Sequence, residues 1–311
     1  MFDRNALITA CQINGTVARV VVAEVAGSAP REAGAAMLVW KGGQSGTIGG
    51  GVLEFELAES ALHGGDRMTR HALGPDMGQC CGGSVYILTE IYDLKRAAAL
   101  PEDIIVRGTG DMPLELLKLM SQARNQGAQP ISQRIGSWFV EPIYERQHDL
   151  WIWGAGHVGR ALVNVLSPLP DTQITWIDTA ANRFPTEQPN DVTILPATNP
   201  CDVITYASKQ AHHLILTYSH AIDLELCHGL LTHGFASCGL IGSATKWARF
   251  RKKLAILDHS DAQISRIMCP IGDTTLGKHP QMIAIGVADQ LIKQRVLASS
   301  HANLHRQETT A

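Results

Sequence analysis

Leu150-Trp151-Ile152-Trp153-Gly154-Ala155-Gly156-His157-Val158-Gly159 decides the fold of half the chain. Four apolar residues read as a short buried strand, and Arg160 to Leu166 after the glycines reads as a helix. In a strand–G-x-G-x-x-G–helix unit each glycine has its own task. Gly154 allows the tight turn, Gly156 admits a pyrophosphate, and Gly159 lets the helix pack closely on the strand. The next strand, Gln173–Asp178, ends in an acid about 20 residues further on, where a ribose-binding carboxylate belongs.

Alternation continues outward from there. Asp191–Leu195 reads as a strand, Asp202–Lys209 as a helix and His213–Tyr218 as a strand ending at Ser219-His220. Leu224–His233 reads as a helix and Ala236–Ile241 as a strand. Gly242-Ser243-Ala244-Thr245-Lys246 opens a basic helix through Lys253, and Met282–Val296 is a last long helix before a polar, frayed tail from Ser299. Strand–helix alternation implies a parallel sheet with right-handed crossovers. In a Rossmann order Gly154–Gly159 and Ser219-His220 share one crevice, with Gly242-Ser243 nearby. Arg183 either answers a 2′-phosphate or solvates a loop. Lys246 is the basic residue nearest the crevice, and the basic run from Arg249 to Lys253 reads first as a solvated helix face.

The first half is less regular. A leading helix near 5–12, strands at Thr16–Val25, Ala35–Trp40 and Ser84–Ile91, a turn at Lys41–Gln44, a helix at 114–125 and one or two strands in Ile131–Tyr144 read as α+β. The fold class is therefore α/β: an N-terminal α+β domain (1–147), a Rossmann-like doubly wound domain (148–298) and a tail (299–311). Gly46-Thr47-Ile48-Gly49-Gly50-Gly51 opens a helix over Val52–Leu62. A glycine run opening a helix either aims backbone N–H groups at an anion or simply makes a flexible turn with a close helix contact. Glu54, in the first turn, reads as support for the helix dipole.

Gly78-Gln79-Cys80-Cys81-Gly82-Gly83 carries a double cysteine between glycines. Adjacent side chains diverge on an extended backbone, and structural zinc sites space their cysteines by two or more residues. A soft ligand, or a donor or acceptor of sulfur, fits better; a tight turn with two buried thiols is the bland alternative. The histidines at 212, 213, 220, 228 and 233 lack the spacing of a zinc protease.

Composition narrows the classes. The 311 residues are 45% hydrophobic and 18% charged with a net charge of −3, which suits a globular chain of about two domains. No basic stripe points to nucleic acid, no apolar stretch is long enough for a membrane span, and the first ten residues do not read as a secretory signal. Seven cysteines without a paired framework point to reduced thiols in a cytoplasm.

Five stretches together resemble the XdhC/CoxI family of xanthine dehydrogenase accessory proteins. They are Gly46–Gly51, Gly78–Gly83, Gly154–Gly159, Gly239-Leu240-Ile241-Gly242-Ser243 with Thr245-Lys246, and Cys269-Pro270-Ile271-Gly272. The resemblance implies a chaperone of molybdoenzyme maturation, with no catalysis of its own. Such a protein binds the molybdenum cofactor, as molybdopterin or its cytosine dinucleotide, and protects it while a cysteine desulfurase supplies the sulfido ligand. It then delivers the cofactor to an apo molybdenum hydroxylase of the xanthine or aldehyde dehydrogenase type. On that reading Cys80 or Cys81 lies at the metal end, with Gly78, Gln79, Gly82 and the loop Gly46, Thr47, Ile48, Gly49, Gly50, Gly51 close by. Gly154, Gly156, His157, Gly159, Asp178, His220, Gly242, Ser243 and Lys246 hold the pterin-phosphate end or a separate nucleotide. A homo-oligomer is compatible with the sequence. Two rivals stay open: an NAD(P)-dependent oxidoreductase with His220 or a thiol as the acid–base group, and a docking scaffold with a vestigial crevice.

Overall fold

The computed structural model describes residues 2–74, 82–126, 130–143, 148–169, 172–189 and 191–308, with only the backbone from 296 onward. The chain divides into two compact units, 1–144 and 145–311.

In the first unit α1 (Arg4–Asn14) begins at Asp3, whose carboxylate accepts from the Ala6 N–H at 2.8 Å. A five-stranded antiparallel sheet follows. It contains β1 (Val17–Ala26), β2 (Ala36–Trp40), β3 (Gly43–Gly46), β4 (Arg67–Ala72) and β5 (Ser84–Tyr92), in the order β3-β2-β1-β5-β4. The central β1 is buried on both faces over Val17–Ala23, so its sequence is mostly apolar, with Arg19 the buried exception. One face packs under α2 (Gly51–Ser60), where Leu53 and Leu57 meet Val20, Val22, Val85 and Ile87. Across the other face Val21, Ala23 and Leu88 meet Phe139. Phe139 belongs to a small antiparallel sheet, β6-β8-β7, made of β6 (Ile104–Arg107), β7 (Gln133–Ile135) and β8 (Trp138–Pro142). Short α3 (Leu94–Ala98) and α4 (Leu114–Gln126) complete the unit.

A buried ion cluster joins the two sheets. Arg19 on β1 donates to both Glu141 oxygens at 2.8 and 2.9 Å, and Arg107 on β6 pairs with Glu141 and Glu90. Burial alone would raise the Glu141 pKa; Arg19 and Arg107 outweigh that and hold it below the usual carboxylate range.

The second unit has six parallel strands in the order β11-β10-β9-β12-β13-β14. They are β9 (His148–Trp153), β10 (Thr172–Asp178), β11 (Val192–Pro196), β12 (His212–Ile215), β13 (Ser237–Leu240) and β14 (Ile267–Met268). The order reverses between β9 and β12, the Rossmann switch point. Helices α5 (His157–Leu166) and α9 (Pro280–Glu308) cover one face. The other is covered by α6 (His220–His233) and α7 (Ala244–Ile256), with α8 (Asp261–Ile264) beyond them.

Several local expectations differ. The turn expected at 41–44 is shorter, and Gln44 lies in β3. β4 and β6 were not anticipated; β4 is a half-buried edge strand whose sequence, RMTRHA, lacks clean alternation. The helix expected at 202–209 is a 3₁₀ helix, Pro200–Tyr206, opened by a proline at its first position. The segment from Ser299 continues α9 as far as Glu308, since neither glycine nor proline interrupts it after Gly286.

Candidate functional site

The first and third glycines of the β9–α5 loop are required by packing. Gly154 has φ +124°, and a Cβ there would lie 2.5 Å from the Leu216 carbonyl oxygen. A Cβ on Gly159 would lie 2.0 Å from the Gly154 carbonyl oxygen. Gly156 differs: an added Cβ meets nothing within 4 Å. Gly156 is also the N-cap of α5, and no side chain caps that helix start. The first N–H groups of α5 therefore face open space beside exposed Gly156 and His157.

Asp178 does not stand free at the end of β10. Its carboxylate accepts from the Ala155 N–H at 2.6 Å, from the Thr179 N–H and hydroxyl at 2.6 and 3.1 Å, and from Arg183 Nε at 3.2 Å. It is 4% exposed and ties the glycine loop to β10. Arg183 lies over the Tyr218 ring, 4.6 Å from its centroid, so it completes the rim of the crevice. The dinucleotide-type acid is thus already engaged by protein donors.

Across the switch point a second cluster forms. Lys246 Nζ donates to Asp223 Oδ2 at 2.6 Å and to the Ile241 carbonyl at 2.9 Å. Asp223 is fully buried and also accepts from the Thr217 N–H and hydroxyl. A Cβ on Gly242 would meet Lys246 Cδ at 2.7 Å and Cys269 Sγ at 3.3 Å, so Gly242 is the space through which Lys246 reaches Asp223. Lys246, read from the sequence as a candidate ligand contact, is locked in this brace. Burial pushes the Cys269 thiol up to about 11, against the opposing pull of Lys246, so it is a neutral thiol at pH 7. Ser219 and Ser243 cap α6 and α7, and exposed His220 is the first residue of α6, with its ring edge-on to Phe250.

In the first unit the loop after β3 fills its own anion seat. Glu54 Oε2 accepts from the Thr47 hydroxyl at 2.6 Å and from the Ile48 and Gly50 N–H groups at 2.9 Å each. Oε1 accepts from Gln44 Nε2 at 3.2 Å, and the Thr47 hydroxyl accepts from the Gly49 N–H. Burial opposes ionisation, but the bonds from Thr47, Gly50, Ile48 and Gln44 win and lower the Glu54 pKa. Gly46 and Gly49 sit against Ala36 and Pro30, and Ile48 is buried; Gly50 and the first helical residue, Gly51, both have positive φ. The N–H groups of Ile48, Gly49 and Gly50, expected to face an external anion, bind this side chain and Thr47.

The ends of β1, β3 and β4 and the start of β5 bring the connections 27–35 and 47–50 and the residues 73–74 and 82–83 to one end of the sheet. Gly82 pairs with Ser28, and a Cβ on Gly83 would lie 2.3 Å from the Ser28 carbonyl oxygen. Gly78, Gln79, Cys80 and Cys81 lie outside the described residues. Among the described residues no group of three or more His, Cys, Asp or Glu side chains is arranged to hold a metal ion. No described helix is long and apolar enough to cross a membrane.

Asp223 and Tyr218 escaped the sequence reading. Asp223 looks like ordinary dipole support in a first helical turn, and only the buried position of Lys246 reveals its role.

The class so defined is a two-unit protein with a Rossmann second half and an uncapped α5 start. Two family profiles match it: "XdhC Rossmann domain" over residues 150–291, and "XdhC and CoxI family" over residues 11–71. The chain belongs to the XdhC and CoxI family, a family of xanthine dehydrogenase accessory proteins. A crystal structure described as a xanthine dehydrogenase from Bacillus halodurans is similar in fold. It has a TM-score of 0.72 and 20% identity, over 94% of this chain and 95% of that one. A short-chain dehydrogenase/reductase from Veillonella parvula, in complex with NADP, reaches a TM-score of 0.26 at 14% identity, over 45% of this chain and 63% of that one. A search of curated proteins found no match.

Proposed function

We propose that this protein is a maturation factor for xanthine dehydrogenase or a related molybdenum hydroxylase. It takes the molybdenum cofactor as cargo, protects it while a cysteine desulfurase supplies the terminal sulfur, and delivers it to the apoenzyme. The observation that carries the reading is the start of α5, which lacks a capping side chain beneath an open Gly156. An uncapped helix start suits the phosphate of the cargo. Cys80 or Cys81 supplies a soft donor for its metal end. The described thiols suit that task less well, since Cys269 and Cys201 are each pushed up to about 11 by burial. No hydride-transfer chemistry is assigned, and the carboxylate expected to bind a ribose, Asp178, accepts from Ala155 and Arg183.

The test compares cofactor binding and transfer in wild-type protein, Gly156→Val, Cys80→Ala and Cys81→Ala, each checked for folding. Loss in Gly156→Val and in at least one cysteine variant supports the reading. Full binding and transfer in all three contradict it.

A further inference from the structure

A cavity of about 450 Å³ lies between α6 and α7. Its walls are His220, Ala221, Leu224 and Glu225 from α6, the α7 cap Ser243, and Thr245, Lys246, Arg249, Phe250 and Lys253 from α7. That volume falls within the range of small-molecule sites. Unlike Lys246, neither Arg249 nor Lys253 has an ion pair or a side-chain hydrogen bond to any described residue, and they stand one turn apart on the same wall. On the opposite wall Glu225 has no cationic partner among the described residues and accepts from the Cys201 thiol at 3.9 Å. The starts of two helices open onto the same space, each capped by a serine.

We propose that this cavity binds a sugar phosphate, free or as part of a nucleoside monophosphate. Arg249 and Lys253 take the phosphate dianion. Arg offers a fork of donors and Lys a point charge, a pair suited to phosphate oxygens. Glu225, an acceptor, takes the sugar hydroxyls, and Leu224 with the small exposed part of Phe250 forms the apolar floor. The concavity and the mixed charge favour a small ligand over an acidic protein segment, which would leave Glu225 facing like charge. The cavity includes His220, Ser243 and Lys246 of the expected crevice set but no residue of the α5 loop.

Calorimetric titration of the full chain with ribose 5-phosphate tests it. A Gly156→Val background blocks the α5 start, and the added side chain has open space there. Saturable binding is expected, weakened at least tenfold by Arg249→Ala with Lys253→Ala and unchanged by Arg251→Ala, whose guanidinium pairs with Asp261 outside the cavity. Adenosine 5′-monophosphate is the second probe. Tighter binding assigns the apolar floor to a base, and equal binding leaves the sugar phosphate as the ligand; both support the proposal. No saturable binding of either probe, equal loss in Arg251→Ala, or displacement of ribose 5-phosphate by a tighter-binding poly-glutamate peptide would overturn it.

Discussion

Lys246 and Asp223 form a buried brace across the switch-point side of the Rossmann sheet, Nζ to Oδ2 at 2.6 Å. Asp223 on α6 is fully buried, and the Lys246 side chain on α7 is 11% exposed. Thr217, just beyond β12, and the Ile241 carbonyl, just beyond β13, complete the group. The brace ties two strand ends to the starts of the two helices that follow them. Removing one partner of such a pair strands the other charge, whereas replacing both with apolar groups is far milder. Asp223→Ala is expected to cost about 3–5 kcal/mol in urea unfolding. Asp223→Leu combined with Lys246→Met is expected to cost much less than the two single losses added, with the coupling read from a double-mutant cycle.

The glycines of the β9–α5 loop separate stability from binding. Gly159→Ala places a methyl group 2.0 Å from the Gly154 carbonyl oxygen, so α5 must move off the strand. A loss of about 3 kcal/mol or more is expected, as for overpacked core sites. Gly156→Ala has open space and an ordinary φ of −72°, and its midpoint should stay within about 0.5 kcal/mol of wild type. A large loss in Gly156→Ala, or none in Gly159→Ala, would contradict the assignment of roles.

Glu54 is the built-in anion of the first glycine loop. Glu54→Ala leaves the Ile48 and Gly50 N–H groups without their acceptor and should cost about 1–3 kcal/mol. The folded-state pKa is lowered, so the contribution is present above the unfolded value near 4.5 and is lost as pH falls through the folded value. Thermal melts from pH 7 downward should show this acid loss in wild type and a smaller one in Glu54→Gln.

His213 sets a second pH dependence. It is fully buried, stacks on Trp153, and its Nδ1 accepts from the Trp153 indole N–H at 3.2 Å. Burial, then His233 and His212, push its pKa down to about 3. The unfolded chain takes a proton near pH 6.5 and the folded one does not. Stability therefore falls as pH drops from about 6.5 toward 3, by up to about 1.4 kcal/mol per unit. His148, held down to about 4 by burial with Arg295 and His212, acts in the same direction. His213→Phe should flatten the dependence between pH 6.5 and 5; an unchanged slope would assign it elsewhere.

The Rossmann half was legible because the glycines of Gly154–Gly159 obey separate local constraints and helical segments, two of them only 3₁₀ turns, alternate with the strands. The strand order then followed from topology alone. The first half was harder. β4 is an edge strand carrying Arg67, Arg70 and His71, so its pattern carries little periodic signal. The loop at 46–51 reads from sequence as either an anion seat or a flexible turn, and the anion it holds is Glu54, four residues past Gly50. A side chain folding back onto its own loop competes with an external ligand for the same N–H groups, and the sequence pattern is identical in both cases. Lys246 illustrates the same difficulty: a basic residue opening a helix looks available until Asp223 is found beneath it.

The central claim is that the protein carries the molybdenum cofactor, with its phosphate end at the α5 start. The most direct measurement is titration of the purified chain with molybdenum cofactor released from a molybdoenzyme, alongside NAD(H) and NADP(H), in wild-type and Gly156→Val protein. The account predicts stoichiometric cofactor binding in wild type, at least tenfold weaker binding in Gly156→Val, and no substrate turnover with nicotinamides. Tight nicotinamide binding with turnover, and no binding of the molybdenum cofactor, would contradict it.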